Sequence, residues 1–522
     1  MSQPQTNTTP SEAAPPKARF SRTFWTLNTI EMWERLAFFN LRVVAPIYIM
    51  QADNPGGLHL TATQKGIIYA WWAVFQCFLP IITGGIADRF GYKRTMTFSV
   101  LLMVTGYLMM AGMRDLSFIS NYWAFFISVM TLAGGTAFFK PSIQGALAHQ
   151  LSKENSSVGW GIFYWIVNVG ALVGHFLPSI FLLQGLFGTT DYSQEAWRNL
   201  FLASAAFSSL NLLLVLTFPD VPSGASKTEN VFQVLIRTVV NIFEIRLICW
   251  MAIMSCFWLM MYQLWDLQPN FIADWVDSRP LAQTLTGLLP ASMAGIVVEE
   301  TARGPMIPQQ VLLSCNALFI IIGVVGIAWL TRKMRTLTAM FFGMVLATIG
   351  ILVAGWTQSA AILILGIVFF SLGEMMTGPK KSEYLALIAP PGKKGLYLGY
   401  VNIPVGIGLF FGSWIAGVVY DHFGEKASLA LRYLAEHTEF GADKNWDGKM
   451  ASLEQTLGVS RVDAMAKLQE VAGWDAVDAT QMLWNTYSPH YIWLPFAAIG
   501  VVASVSLLIF GQMAKRWKDM NA

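Results

Sequence analysis

Apolar residues run along the chain in stretches of about 20 or more, the length a helix needs to cross a bilayer core, and polar or Gly/Pro-rich breaks separate twelve of them. The pattern predicts helices over 24–50, 64–87, 95–113, 120–148, 158–184, 197–218, 247–274, 307–331, 336–356, 360–389, 396–421 and 490–513. Several exceed the minimum length, so tilted spans are expected. Residues 1–22 open with MSQPQTNTTPSEAAPPKARF, polar and Pro-rich, and read as a disordered cytoplasmic tail. The expected organisation is a six-helix bundle over 23–218, a cytoplasmic linker over 219–246, and a second six-helix bundle over 247–514. A polar insertion over 423–488 falls between the last two spans.

Composition agrees with a membrane protein. Of 522 residues, 55% are hydrophobic and 12% charged, about half the charge of a soluble domain. The formal net charge of +3 gives no basic excess to suggest a nucleic-acid partner. Where the cations fall is more informative than their number. Lys17, Arg19 and Arg22, then Arg89, Lys93 and Arg94, then Arg332, Lys333 and Arg335, and finally Lys515, Arg516 and Lys518 all occupy one set of alternate loops. The loop QADNPGGLHLTAT has none. Retention of positive charge on the cytoplasmic side predicts both termini there, in the cell's inner (plasma) membrane. The four cysteines lie in apolar runs without metal-ligand spacing, the six histidines are scattered, and no HExxH, GxSxG or nucleotide-binding loop occurs. An enzyme or an ATP-driven pump is therefore not expected. An ion gradient is left as the energy source.

Two basic turns, GGIADRFGYKRTM at 84–96 and TRKMRTLTAM at 331–340, each follow the second helix of a half. They suggest a duplication about an axis along the membrane normal, with a site between the halves. The first turn, with Gly84, Asp88, Arg89, Gly91, Lys93 and Arg94, resembles the loop motif of the major facilitator superfamily. That resemblance implies an all-α fold of two pseudo-symmetric six-helix bundles, and a bracing role for the turn at the inner gate.

Ionisable groups inside spans are costly, and each marks a candidate function. In TLNTIEMWERLAFFNLRV, Glu31, Glu34 and Arg35 share one helix face and Arg42 returns to it. Neighbouring carboxylates make one of the pair easy to protonate, which is the chemistry a proton-coupled carrier needs. A structural salt-bridge cluster is the alternative. Lys140, next to Pro141 in the fourth span, needs an anionic partner, and the Glu31/Glu34 pair is the nearest candidate. Asn168 adds a polar group to the fifth span.

The motif ExxER at 31–35, the Lys140–Pro141 step and FYxxxNxG at 163–170 together resemble the proton-coupled oligopeptide transporter family. The likeness continues through FWLMMYQ at 257–263, PQQVLLSCNALFII at 308–321 and GEMMTGP at 373–379. The resemblance implies that Glu31, Glu34, Arg35 and Lys140 carry proton coupling. It further implies that Arg42 and Lys140 meet a peptide carboxylate, and that Glu374 meets its amine with help from Asn168 and Asn316. Phe38, Phe39, Trp71, Tyr164, Trp258 and Tyr262 are the expected lining. The partners implied are protons, membrane lipid and di- or tripeptides, handled by a monomer. Other small solutes, such as an amino-acid derivative or nitrate, form the alternative, and a receptor or membrane enzyme is disfavoured.

The sequence departs from that family in three places. Phe38 and Phe39 stand where tyrosines are usual. Tyr262 replaces an acid, for which Asp266 could substitute. Lys380 and Lys381 precede Glu383, and both ammonium groups are expected to snorkel to the cytoplasmic surface.

The insertion contains DKNWDGKMASLE at 443–454. Asp443, Asn445, Asp447, Lys449 (through its carbonyl) and Glu454 fit the ligand spacing of a calcium-binding EF-hand loop, with Gly448 at the turn. A structural Ca²⁺ outside the membrane is one expectation. A helix start capped by Asp447 is the other. Transport itself calls for no cofactor.

Overall fold

The computed structural model describes residues 20–152, 155–185, 189, 191–220, 244–389, 397 and 400–516. The tail through residue 19 and most of the linker, 221–243, lie outside the described residues, as do Lys153, Lys393 and Lys394.

Twelve long helices are present among the described residues: α1 (Arg22–Arg42), α2 (Ala62–Phe90), α3 (Tyr92–Gly112), α4 (Asn121–Ala148), α5 (Ser156–Leu182), α6 (Gln194–Leu216), α7 (Ile245–Met261), α8 (Gln309–Thr331), α9 (Thr336–Gly355), α10 (Ala360–Ile388), α11 (Asn402–Phe423) and α12 (Trp493–Arg516). Eleven membrane-crossing segments are long and apolar enough by composition. α1 is not among them, because Glu31, Glu34 and Arg35 interrupt its apolar run. Starts follow capping chemistry. Ser21 Oγ accepts the Phe24 N–H at 3.0 Å, Thr61 and Gln64 form a reciprocal capping box, and Ser193 Oγ accepts the Ala196 N–H.

Two predicted spans are broken rather than continuous. The run 24–50 ends as a helix at Arg42, turns at Val43–Val44 and resumes as a short helix, Ala45–Met50, with Pro46 in its first turn. The run 247–274 breaks at Tyr262 and again at Leu267, giving short pieces Gln263–Asp266 and Gln268–Trp275, the latter opened by Pro269. Between α7 and α8 the chain forms helices Arg279–Leu288 and Ala291–Val297. It then makes an antiparallel hairpin of β1 (Glu299–Thr301) and β2 (Gly304–Met306), which the hydrophobic pattern does not foretell. The insertion is helical, as expected. Lys426–His437, Leu453–Leu457, Ala464–Ala472 and Ala476–Tyr487 enclose buried Leu429, Leu434, Leu453, Leu468 and Leu483.

The halves meet where α2 packs on α11 and α5 packs on α8. Exchanging first-half helices for their second-half counterparts turns one of these pairs into the other, as a twofold axis along the membrane normal requires. Within the second half α9 and α10 approach closely on glycines. A Cβ on Gly350 would stand 2.4 Å from the Phe370 nitrogen and 2.7 Å from the Gly366 oxygen. Backbone cannot yield there as a side chain could. Gly350→Leu is therefore expected to cost about 1–3 kcal/mol by overpacking, read as a lowered unfolding temperature of the purified protein.

Candidate functional site

Glu31, Glu34 and Arg35 all point inward, at 0%, 2% and 6% exposure. Arg35 grips Glu34 with two hydrogen bonds, Nε to Oε2 at 2.5 Å and Nη2 to Oε1 at 2.6 Å. Its Nε also lies 3.4 Å from Glu31 Oε1, the same oxygen that takes the Lys140 ammonium. Two acids and two bases thus balance, with Glu31 shared between Arg35 and Lys140. The other Glu31 oxygen, Oε2, is buried without a hydrogen-bond partner. The expected Glu31–Lys140 pairing is present.

Small residues let the helices close around this cluster. A Cβ on Gly170 would stand 2.8 Å from the Met32 oxygen and 3.0 Å from Arg35 Cβ, and one on Gly174 would meet Leu36 and Phe39 at 2.9 Å. The glycine of FYxxxNxG is therefore where α5 touches the acid-bearing turn of α1. Asn168 itself donates to the Tyr164 carbonyl at 2.9 Å, a bond within its own helix. The Arg35 guanidinium lies 4.8 Å from the Phe38 ring centre, so Phe38 lines the cluster through its face. In the basic turn, Gly91 adopts φ +95° between α2 and α3, the Tyr92 hydroxyl donates to Asp88, and Lys93 donates to the Phe218 carbonyl. Gly84 faces Pro141, beside Lys140, while Arg89 and Arg94 are exposed.

Arg42 stands eleven residues beyond Glu31, about 16 Å along the helix axis. It stacks on Tyr69 and Trp72, 3.9 and 4.6 Å from their ring centres, and its Nη1 is buried without a partner. In this state Lys140 is committed to Glu31 and Arg42 to the two rings. In the second half, Asn316 Nδ2 donates to Ser371 Oγ at 3.0 Å and to Glu374 Oε2 at 3.1 Å, which joins two residues the sequence singled out. Tyr262 is the C-terminal cap residue of α7. Its ring centre is 5.6 Å from that of Trp258.

Lys381 overturns an expectation. Its ammonium sits 4.0 Å above the Trp258 ring and acts electrostatically on Glu374 and Cys77, so it faces inward; only Lys380 pairs outward, with Glu383 at 2.8 Å. Adjacent helix positions differ by about 100°, and α10 turns the second lysine toward the interior. The second half therefore carries a cation about two turns beyond its carboxylate on the same helix, and charge is not simply divided between the halves. Asp266 is not a substitute site acid either. It pairs with Lys65 of α2 at 2.9 Å, both about 1% exposed.

That pair belongs to a seam closing the end of the bundle where hairpin and insertion lie. Lys65 Nζ donates to the Asp266 carbonyl at 2.6 Å, Gln51 to Asp274 at 2.7 Å, Asn270 to the Pro46 carbonyl at 3.1 Å, and Gln309 to the Val43 carbonyl at 3.0 Å. Gly66 and Gly417 meet there: a Cβ on Gly66 would lie 2.5 Å from the Ser413 oxygen and 3.0 Å from the Gly417 Cα. Lys65 escaped the sequence reading because a lysine one residue into a predicted span looks like a terminal, snorkelling group.

The calcium-loop spacing is not realised as a cage. Asp447 Oδ1 accepts the Lys449 N–H at 3.0 Å and the Ser452 hydroxyl, and the Ser452 bond holds its carboxyl below the usual range. Trp446 Nε1 occupies the Lys449 carbonyl at 2.8 Å, and Glu454 accepts the Arg461 N–H at 3.2 Å. Asp443 and Asn445 are exposed. Among the described residues no three His, Cys, Asp or Glu side chains gather as metal ligands. Asp447 closes a local turn ahead of Met450–Ser452, and neither that short helix nor Leu453–Leu457 receives a side-chain capping bond, so the capping alternative is not realised either.

Comparison with known proteins adds a frame. The profile of the Major Facilitator Superfamily matches residues 34–379. A di-/tripeptide transporter of Lactococcus lactis subsp. lactis is 29% identical over 158 residues, 29% of this chain and 30% of that protein. The alignment thus spans under a third of that relative's length. The multidrug resistance protein MdtH of Klebsiella pneumoniae subsp. pneumoniae is 24% identical over 395 residues, 74% of this chain and 83% of that one. A crystal structure of a POT family transporter with a thioalcohol-conjugated peptide superposes with TM-score 0.64 at 15% identity, covering 96% of this chain and 97% of the other.

Removing one partner of a dry ion pair strands the other charge, at about 3–5 kcal/mol. Lys65→Met and Asp266→Leu are each expected to lower the unfolding temperature markedly, and the double variant to regain most of the loss in the same melt.

Proposed function

The chain belongs to the major facilitator superfamily, and on that footing we propose that it is a proton-coupled symporter of the oligopeptide branch, importing di- and tripeptides by alternating access. The observation that carries this reading is Glu31 shared between Arg35 and Lys140 beside the Arg35–Glu34 chelate. A proton on either acid removes one charge from a balanced set of four. Lys140 or Arg35 is then released for another anion, which gives the cluster two arrangements that a proton and a substrate bias in opposite senses. Peptide carboxylate would be met by Arg42 and the freed Lys140, and the amine by Glu374, which Asn316 holds in place. Tyr262, Trp258, Tyr164 and Phe38 would line the space between, and Asp88, Arg89 and the rest of the 84–94 turn would brace the inner end.

The di-/tripeptide transporter named among the relatives supports the peptide reading. Lys381, turned onto Trp258 on the helix that bears Glu374, and phenylalanines at 38 and 39 favour as a second reading a more anionic small solute such as nitrate or an amino-acid derivative. The basic loops support a cytoplasmic location for both termini and an extracytoplasmic one for hairpin and insertion, in the inner (plasma) membrane. The protein is taken as a monomer.

In proteoliposomes with an imposed proton gradient, Glu34→Gln is expected to abolish uphill peptide uptake while preserving counterflow exchange; surviving accumulation contradicts the coupling. Lys140→Ala should reduce uptake by about tenfold or more, as loss of a buried charged contact implies. A thermal-shift screen against dipeptides, nitrate, amino acids and, in view of the multidrug resistance relative, a drug panel separates the substrate classes.

Calcium at 443–454 is a separable proposal that rests on spacing. An ion would have to draw Asp447 away from Ser452 and Glu454 away from Arg461. Calorimetric titration of the EGTA-treated protein should then show millimolar binding that Asp447→Asn removes, and a flat titration rules the ion out.

A further inference from the structure

The transport site leaves two parts of the chain unused, the hairpin and the insertion, and both grip the opposite half. Arg461 of the insertion is 8% exposed. Its Nη2 donates to the Met50 carbonyl at 3.2 Å and the Leu60 carbonyl at 3.0 Å, both in the first half. The same nitrogen lies 3.0 Å from Glu425, which follows α11 in the second half. One guanidinium therefore bridges the halves. Met50 ends a short helix, so its carbonyl is among those a helix terminus leaves unmet.

Across a cavity of about 450 Å³ stands a second bridge. The Tyr192 hydroxyl, from the loop before α6, donates to Glu299 Oε2 on β1 at 2.7 Å. Both ends are anchored. The Tyr192 amide donates to the Leu182 carbonyl at 3.1 Å and its carbonyl accepts from Gly56 at 2.8 Å, while Arg303 ties the hairpin turn to the Ala273 carbonyl at 2.6 Å.

We propose that hairpin and insertion form a clasp holding this end of the transporter shut, and that Glu299 makes the clasp tighten when the solution on that side is acidic and loosen when it is alkaline. The inference deepens the alternating-access reading, under which both bridges must part in each cycle. Burial pushes the Glu299 carboxyl up to about 7; the Tyr192 hydrogen bond and Arg303 oppose that rise, and Asp53 and Asp191 add to it. Asp274, Glu425, Lys426 and Arg461 line the same cavity. The carboxylate is present above that value. Opening would return the carboxyl to water and to its ordinary acidity, so the closed clasp holds the proton more tightly than the open one, and closure gains stability as pH falls through about 7.

Hydrogen exchange on the full chain in lipid nanodiscs, corrected for intrinsic rates, reads the clasp without requiring transport. At about pH 5.5 the wild type should exchange about fivefold slower over 45–60 and 263–275 than at about pH 8, with α9 unchanged. Glu299→Gln, a neutral stand-in for the protonated acid, should be slow at both pH values, and Arg461→Gln should raise exchange over 45–60. Wild-type protection and pH response in Glu299→Gln overturn the proposal. If Arg461→Gln exchanges everywhere, as an unfolded chain would, Glu299→Gln alone decides. Clasp behaviour as described in a protein that accumulates no solute refutes the transport reading and leaves the clasp standing.

Discussion

Four mutually paired charges inside the membrane-spanning helices organise the first half of this protein. An ionised side chain in hydrocarbon costs several kcal/mol even after snorkelling and local thinning are allowed for. Glu31, Glu34, Arg35 and Lys140 have only one another. This requirement fixes which face of α1 turns inward and places α4 so that Lys140 reaches it. It also explains why α5 presents glycine where it crosses the acidic turn. Any larger residue at 170 would hold α5 off by the width of a side chain and admit lipid or water to the pair. The least apolar of the twelve helices is accordingly one of the interior ones.

The two charged clusters along the first half differ in kind. Lys65 and Asp266 form a closed pair, buried on all sides and joining the halves. The Glu31 cluster is internal to one half and is partly open at Lys140, whose side chain keeps 26% exposure. The first arrangement resists change because either charge alone would be stranded. The second is open at one member, Lys140, and an open cation is free to meet another anion.

Much of this was legible in the chain because lipid enforces it. Twelve spans followed from apolar length, and the acid stripe followed from i, i+3, i+4 spacing. The pairing of Glu31 with Lys140 followed from the lack of any other anion in reach. The parts that were not legible share a physical cause: more than one geometry satisfied the same residues. Lys380 and Lys381 are neighbours on one helix, and only packing decides which turns inward. The 443–454 spacing suits both an ion cage and an aspartate cap. Three-residue strands such as Glu299–Thr301 carry too little pattern to read. Pro269 did signal the break in α7, but the apolar run around it masked the signal.

The contact between Gly66 and Gly417 has a mechanical meaning of its own. Where helices interlock through side chains, one must climb out of the other's grooves to change its angle, and the climb sets discrete positions. Two bare α-carbons facing each other have no teeth to disengage. At that crossing α2 and α11 can swivel as smooth rods on a bearing, so resistance to motion falls on the polar seam around it.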